Sequence, residues 1–179
     1  MSPKLIWIDL EMTGLNPVKH VILEIASIVT DDDLEVVAEG PNIAINHPEK
    51  IMKDMETWSR DHHKASGLLD RVYASSYDHK KAEQETLDFL AGHCKEGLSP
   101  LCGNSIWQDR RFIMKYMPKL GNFFHYRNID VSSIKELAKR WYPSLPPYEK
   151  QKPHLALMDI KESINELKYY RQKVFLPGS

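Results

Sequence analysis

Cysteine is nearly missing from this sequence: Cys94 and Cys102 are the only two, and they form no CxxC pair. That spacing excludes the usual structural zinc ligation and offers no disulfide framework, so a reduced, intracellular chain is expected. Long apolar runs are missing too. The opening MSPKLIWIDLEM reaches acidic residues before a signal-peptide core could form, and no segment is apolar for long enough to span a bilayer. A cytoplasmic location, with no membrane partner, is the expectation. Charge of either sign is not in excess. The formal net charge of −1 argues against a protein that coats long nucleic acid, duplexes included, through a basic surface. A small or end-only nucleic-acid substrate stays open. No internal repeat or low-complexity tract interrupts the chain.

What is present is an ordinary globular composition: 179 residues, 42% hydrophobic and 27% charged. A single domain over 1–179 is expected, long enough to bury a core. KLIWIDLEMTG, VILEIASIVT (21–30) and LEVVAEGPNIAIN (34–46) read as three strands. The acidic turn Asp31-Asp32-Asp33 makes the second and third a hairpin. Helical segments follow, including METWSRDHHKAS and a longer helix from about Tyr77 to His93 with Ala82, Leu87 and Leu90 facing inward. PLCGN reads as a short buried strand, with Asn104 or Ser105 capping the helix IWQDRRFIMKYM and Pro118 closing it. NFFHYRNID reads as another strand, Ser133 and Glu136 as a capping box for IKELAKRWY, and YPSLPPYEKQKP as a loop. The last helix is expected to begin near His154, with Leu157, Ile160, Ile164 and Leu167 as one apolar stripe. A three-stranded opening followed by alternating strands and helices predicts an α/β fold, a mixed sheet flanked by helices.

Within the first strand, WIDLEMTGL sets Asp9 and Glu11 two residues apart and so on one face. Burying two ionised carboxylates side by side is costly unless something positive lies between them. In isolation a DxE is more often a hydrated strand end. Here Ile6, Ile8 and Leu10 surround it, and hard divalent cations favour oxygen ligands of this kind. Asp109, about one turn inside the helix of GNSIWQDRR, and His154 and Asp159 in HLALMD are each weak signals alone; a solvated helical acid beside Arg110 or Arg111 explains the first. Together they supply four carboxylates and an imidazole. That set suits two-metal phosphodiester hydrolysis, in which paired cations stabilise the attacking and leaving oxygens and a base takes a proton from water. Histidine, with an ordinary pKa of about 6.5, suits the base.

WIDLEMTGL, GNSIWQDRRF and HLALMDIKESI resemble the three exonuclease motifs of the DEDDh superfamily of 3′→5′ exonucleases, and within it the oligoribonuclease family. The similarity extends to AEGPNIAIN, KRWYP and SINELKYYR, nearly the whole chain. The resemblance implies an RNase H-like fold, a homodimer, and 3′→5′ release of nucleoside monophosphates from very short RNA, dinucleotides and slightly longer, with two divalent cations per site, Mg²⁺ or Mn²⁺. By position it makes Asp9, Glu11, Asp109 and Asp159 the metal ligands and catalytic acids, and His154 the general base.

For the substrate, composition alone favours Trp58 as a packing residue and gives His63 no special standing. The resemblance makes Leu15 and Trp58 the wedge for terminal bases, where stacking on an aromatic contributes about 1–3 kcal/mol. It places His63, Ser105, Ser132, Tyr126 and Arg127 against substrate, with Tyr126-Arg127 reaching into the partner subunit's site and closing, with the serines, around the 5′ phosphate. The basic segments HKK (79–81) and KYYRQK (168–173) read as solvated helix faces, and Tyr169, Tyr170 and Phe175 as packing residues of the core or of a dimer seam. Rival expectations are a single-strand DNA or RNA trimming or proofreading exonuclease of the same superfamily, a non-catalytic RNA-end binding module, and an α/β scaffold with structural acids.

Overall fold

A strand with Ile6, Ile8 and Leu10 on one side and Trp7 on the other needs cover on both faces. In the computed structural model, which describes residues 3–149 and 155–175, that strand lies at the centre of the sheet. β1 (Leu5–Met12) is flanked by β2 (Ile22–Thr30) and β4 (Leu101–Gly103) in a five-stranded sheet ordered β3-β2-β1-β4-β5. β2 and β3 (Val36–Ala44) join antiparallel, with Glu11 opposite Glu24; β4 and β5 (Asn128–Asp130) join parallel. The mixed sheet with an antiparallel opening is thus as expected.

Helices α1 (Glu49–Lys53), α2 (Thr57–Ala65), α3 (Leu68–Ala74), α4 (His79–Ala91), α5 (Ile106–Tyr116), α6 (Pro118–Phe123), α7 (Val131–Trp141) and α8 (Ala156–Lys173) flank it. Ile6, Ile8 and Leu10 pack with Leu90 of α4, Phe112 and Ile113 of α5, and Leu120 of α6. Trp7, Ala26 and Ile28 pack on the opposite face with Ala138 of α7 and Ile160, Ile164 and Leu167 of α8. The two-residue period therefore turns Asp9 and Glu11 toward the α8 face. β1, β4 and β5 run the same way, so their C-terminal ends share one edge, where α5 and α7 begin. Open α/β sheets place ligands at that edge. Gly103 allows the approach: a Cβ there would lie 3.2 Å from the Ile8 carbonyl oxygen and 2.9 Å from Ile106.

Several element boundaries differ from expectation for visible reasons. NFFHYRNID is not one strand. Asn122 and Phe123 end α6, and only Asn128–Asp130 pairs in the sheet. Pro118 opens that helix at its first position, which suits a residue without an N–H, and the Glu83 carboxylate of α4 accepts from Lys119 N (2.7 Å) and Leu120 N (3.1 Å). Ser133 does not begin α7: the Asp130 carboxylate at the end of β5 accepts from Ser132 N at 2.9 Å and starts the helix earlier. Asp78 caps α4 the same way, trimming it to His79–Ala91. In the acidic turn, Asp31 accepts from the N–H groups of Asp33 and Glu35, both at 2.9 Å, with Leu34 at a φ of 66°, so β3 starts at Val36. Tyr170 is buried and Tyr169 half-buried against the α8 cluster, while Phe175 is exposed. His154 lies outside the described residues.

Candidate active site

Three acids that are far apart in sequence meet at the sheet edge. Ligand oxygens of Asp9 and Glu11, from β1, and of Asp159, from the first turn of α8, all lie within 4.8 Å of one another. Asp109 of α5 stands beside this group, buried, with its Oδ1 accepting from Leu10 N at 3.1 Å. That bond spans the strand between the two β1 acids and fixes α5 against β1.

The electrostatics of the cluster are those of uncompensated charge. Burial, then the carboxylates of Asp109, Glu11, Asp159 and Glu24, hold the Asp9 carboxyl well above the usual carboxylate range. Burial, then Asp159, Glu24 and Asp109, push Glu11 up to about 8. Asp109 is pushed up to about 7 by burial, against the opposing hydrogen bond from Leu10 N. Such a group cannot be fully ionised near neutral pH without positive charge among its oxygens. An all-oxygen donor set around a common centre fits Mg²⁺ or Mn²⁺, hard cations bound through carboxylates and water.

One acid here was not singled out from sequence. Glu24 lies opposite Glu11 on β2 and is 0% exposed. Its Oε1 pairs with Arg71 of α3, and its Oε2 accepts from Ala156 N at 3.3 Å. α8 has no side-chain cap of its own, so β2 supplies one from across the molecule. The signal was a lone ionisable residue inside the apolar run VILEIASIVT.

The expected substrate residues divide into two sets. His63 is buried against the end of β1, with Nε2 2.8 Å from the Met12 carbonyl, which only accepts; that nitrogen therefore carries the proton, and Nδ1 faces Glu11 Oε2 at 3.7 Å. Trp58 is 64% exposed, outside the core, and stacks on His62 at 3.9 Å. Leu15 is 65% exposed on the β1–β2 connection, whose backbone α5 braces: Gln108 donates to the Leu15 carbonyl, and Tyr116 to those of Pro17 (3.2 Å) and His20 (2.7 Å). Ser105 and Ser132 meet at the β4 and β5 ends, their hydroxyls 3.2 Å apart. Ser105 is the N-cap residue of α5, directly before Ile106, but makes no side-chain capping bond. Tyr126 and Arg127 are not brought to the acids. Both are exposed at the surface before β5, with the guanidinium 5.2 Å from the Tyr126 ring and Arg127 N donating to His125 Nδ1 at 3.1 Å.

Comparison with known proteins gives this arrangement a family. The RNase_T exonuclease family model matches residues 6–167. The chain is 58% identical to the oligoribonuclease of Marinobacter nauticus, covering 96% of each chain, and 56% identical to that of Shewanella amazonensis, covering 97% of each. The chain belongs to the oligoribonuclease family of exonucleases. Its fold also superposes on exonuclease I of E. coli bound to an oligonucleotide, at a TM-score of 0.73 and 12% identity over 97% of this chain. Exonuclease I of Methylocaldum szegediense gives 0.67 at 13% identity over 96%. The fold is thus RNase H-like; the chain spans about two-fifths of those exonuclease I chains (42% and 41%). In this chain the acids Asp9, Glu11 and Asp159 lie where β1 meets α8. Among the described residues no helix is long and apolar enough to cross a membrane.

Proposed function

We propose that the chain is a 3′→5′ exoribonuclease that degrades dinucleotides and slightly longer single-stranded RNA to nucleoside monophosphates. The convergence of Asp9, Glu11 and Asp159, with ligand oxygens within 4.8 Å, carries this reading. Together with Asp109 these side chains would hold two divalent cations, Mg²⁺ or Mn²⁺. When bound, the cations supply charge stabilisation for the attacking and leaving oxygens of the phosphodiester.

The rest of the site acts on substrate. Leu15 and Trp58, both exposed, stack on terminal bases, a contact that tolerates any sequence. His63, fixed by its bond to the Met12 carbonyl beside Glu11, contacts the substrate. His154, directly before Leu155 and α8, takes the proton of the attacking water as general base. Ser105 turns its hydroxyl from Ser132 to donate to the 5′ phosphate, Ser132, held by Asn104, lines the same corner, and Arg127 supplies a charge-assisted contact that closes the far end. A capped site of this kind suits a chain of net charge −1, because affinity comes from the two ends of a short substrate and not from a basic groove.

The chain acts as a homodimer in this reading. Exposed Val18, Trp107 and Met114 line one groove beside Arg110, Arg111 and Lys115, and Trp107 and Leu137 line the next beside Glu136 and Arg140, a mixed apolar and charged surface over α5 and α7 that suits a partner subunit. Tyr126 and Arg127, remote from the acids of their own chain, then serve the partner's site. Digestion of 5′-labelled RNA from two to about twenty nucleotides, with and without chelator, tests the whole reading. The expected result is cation-dependent release of mononucleotides, fastest on the shortest RNA. Equal rates at every length would remove the cap, and no release with Mn²⁺ present would leave an RNA-end binding module instead.

A further inference from the structure

The Ser105 hydroxyl begins a chain of hydrogen bonds that ends on a candidate metal ligand. Ser105 Oγ donates to Ser132 Oγ (3.2 Å), Ser132 Oγ to Asn104 Oδ1 (3.1 Å), Asn104 Nδ2 to Ser163 Oγ (2.7 Å), and Ser163 Oγ to the Asp159 carbonyl oxygen (2.8 Å). Every donor points the same way. Ser132 Oγ accepts from the Ser105 side and spends its own proton on Asn104, so its orientation is fixed by the amide. Ser163 is 4% exposed, and the bond to the carbonyl four residues back locks its hydroxyl within α8.

The segment that starts this chain is held under strain. Ser105 has a φ of 50°, a left-handed conformation that a side-chain-bearing residue adopts only when its surroundings impose it. Its N–H donates to both Asp130 Oδ1 (2.9 Å) and Ser132 Oγ (3.0 Å). Asn104 thus sits between a corner built from β4, β5 and α7 and the helix that presents Asp159.

We propose that Asn104 and Ser163 are positioning residues that fix the distance between the 5′-phosphate corner at Ser105 and Ser132 and the metal ligands. They act as a ruler that makes the enzyme favour the shortest RNA. This rests on the reading that the corner at Ser105 and Ser132 holds the 5′ phosphate. Neither residue touches substrate or a cation. Their effect is on register: with the chain intact, only a short RNA spans from the corner to the acids without strain.

The test is kcat/KM on a 5′-phosphorylated dinucleotide and on a 5′-phosphorylated pentanucleotide for the full chain and for Ser163→Ala, Asn104→Ala, the double variant and Ser163→Thr. Breaking one link should lower the dinucleotide preference by about five- to tenfold, the scale of one hydrogen bond's worth of coupling, mainly through the dinucleotide. Ser163→Thr, which keeps the hydroxyl, should restore it. The double variant should lose no more than the worse single variant, because both break one chain. If the variants slow both substrates equally, or leave the preference unchanged, the ruler is overturned while the functional reading stands. If the unaltered protein shows no preference for the dinucleotide, the functional reading itself fails.

Discussion

Removing divalent cations should make this protein less stable as the solution becomes more alkaline, in a range where most proteins change little. Glu11, ordinarily near 4.5, is pushed up to about 8 by burial and by Asp159, Glu24 and Asp109. Asp109 is pushed up to about 7, and Asp9 is raised as well. A carboxyl raised in the folded state keeps a proton that the unfolded chain has already lost. Its stabilising contribution is complete below about pH 4.5 and disappears as pH rises through the folded value. From pH 6.5 to 8.5 Glu11 alone accounts for about 2 kcal/mol, and Asp9 and Asp109 act in the same direction. For a chain of this length that is a fall of about 4–8 °C in Tm. The lowered imidazoles, His47 through burial and His79 to about 4 through burial and His47, act with opposite sign, but each returns at most about 0.4 kcal/mol above pH 6.5, where the unfolded imidazole is already half neutral. Thermal melts with chelator and with saturating Mn²⁺ across this range measure the effect. With Mn²⁺ the alkaline fall should vanish, and the gain in Tm should be larger at pH 8.5. Glu11→Gln should flatten the chelated profile. A chelated protein as stable at pH 8.5 as at 6.5, or a cation gain equal at both, would refute the electrostatic reasoning.

Glu24→Ala should cost about 3 kcal/mol or more in denaturant titration, because it strands Arg71 and uncaps α8. The exposed pair Glu49–Lys53 should be worth under about 1 kcal/mol in the same assay; comparable losses would show that burial does not matter here. Leu15→Ala and Trp58→Ala should each raise KM for a dinucleotide by about tenfold with little change in kcat, and a pure kcat effect would count against base stacking. Arg127→Ala should weaken dinucleotides more than longer RNA; a uniform loss would imply general attraction to phosphate. His154→Ala should remove most turnover while leaving the Mn²⁺-induced gain in Tm, and loss of that gain would make the imidazole a ligand instead of a base.

The parts of this molecule that were legible in its sequence are those written in local periodicity. Alternation in KLIWIDLEM specifies a strand covered on both faces, and the sheet places it at the centre. The same alternation puts Asp9 and Glu11 on one face, and α8 brings Asp159 to them. What escaped depends on contacts that no local window contains. Phe123 and Phe124 suit a strand and a helix equally; the Glu83 carboxylate, a distant residue, decides for α6. Asp130 pre-empted the capping box at Ser133 because it was already at the end of β5. Glu24 looked like an interruption in an apolar strand, and its partners, Arg71 and Ala156, are 47 and 132 residues away. His63 gained its place beside Glu11 through a bond to Met12 that is 51 residues distant.

Anomalous diffraction at the manganese edge, from crystals grown with Mn²⁺, tests the convergence of the acids most directly. The predicted result is a peak about 2.1 Å from carboxylate oxygens of Asp9, Glu11 and Asp159. Manganese seated elsewhere, or no peak at that edge of the sheet, would contradict it.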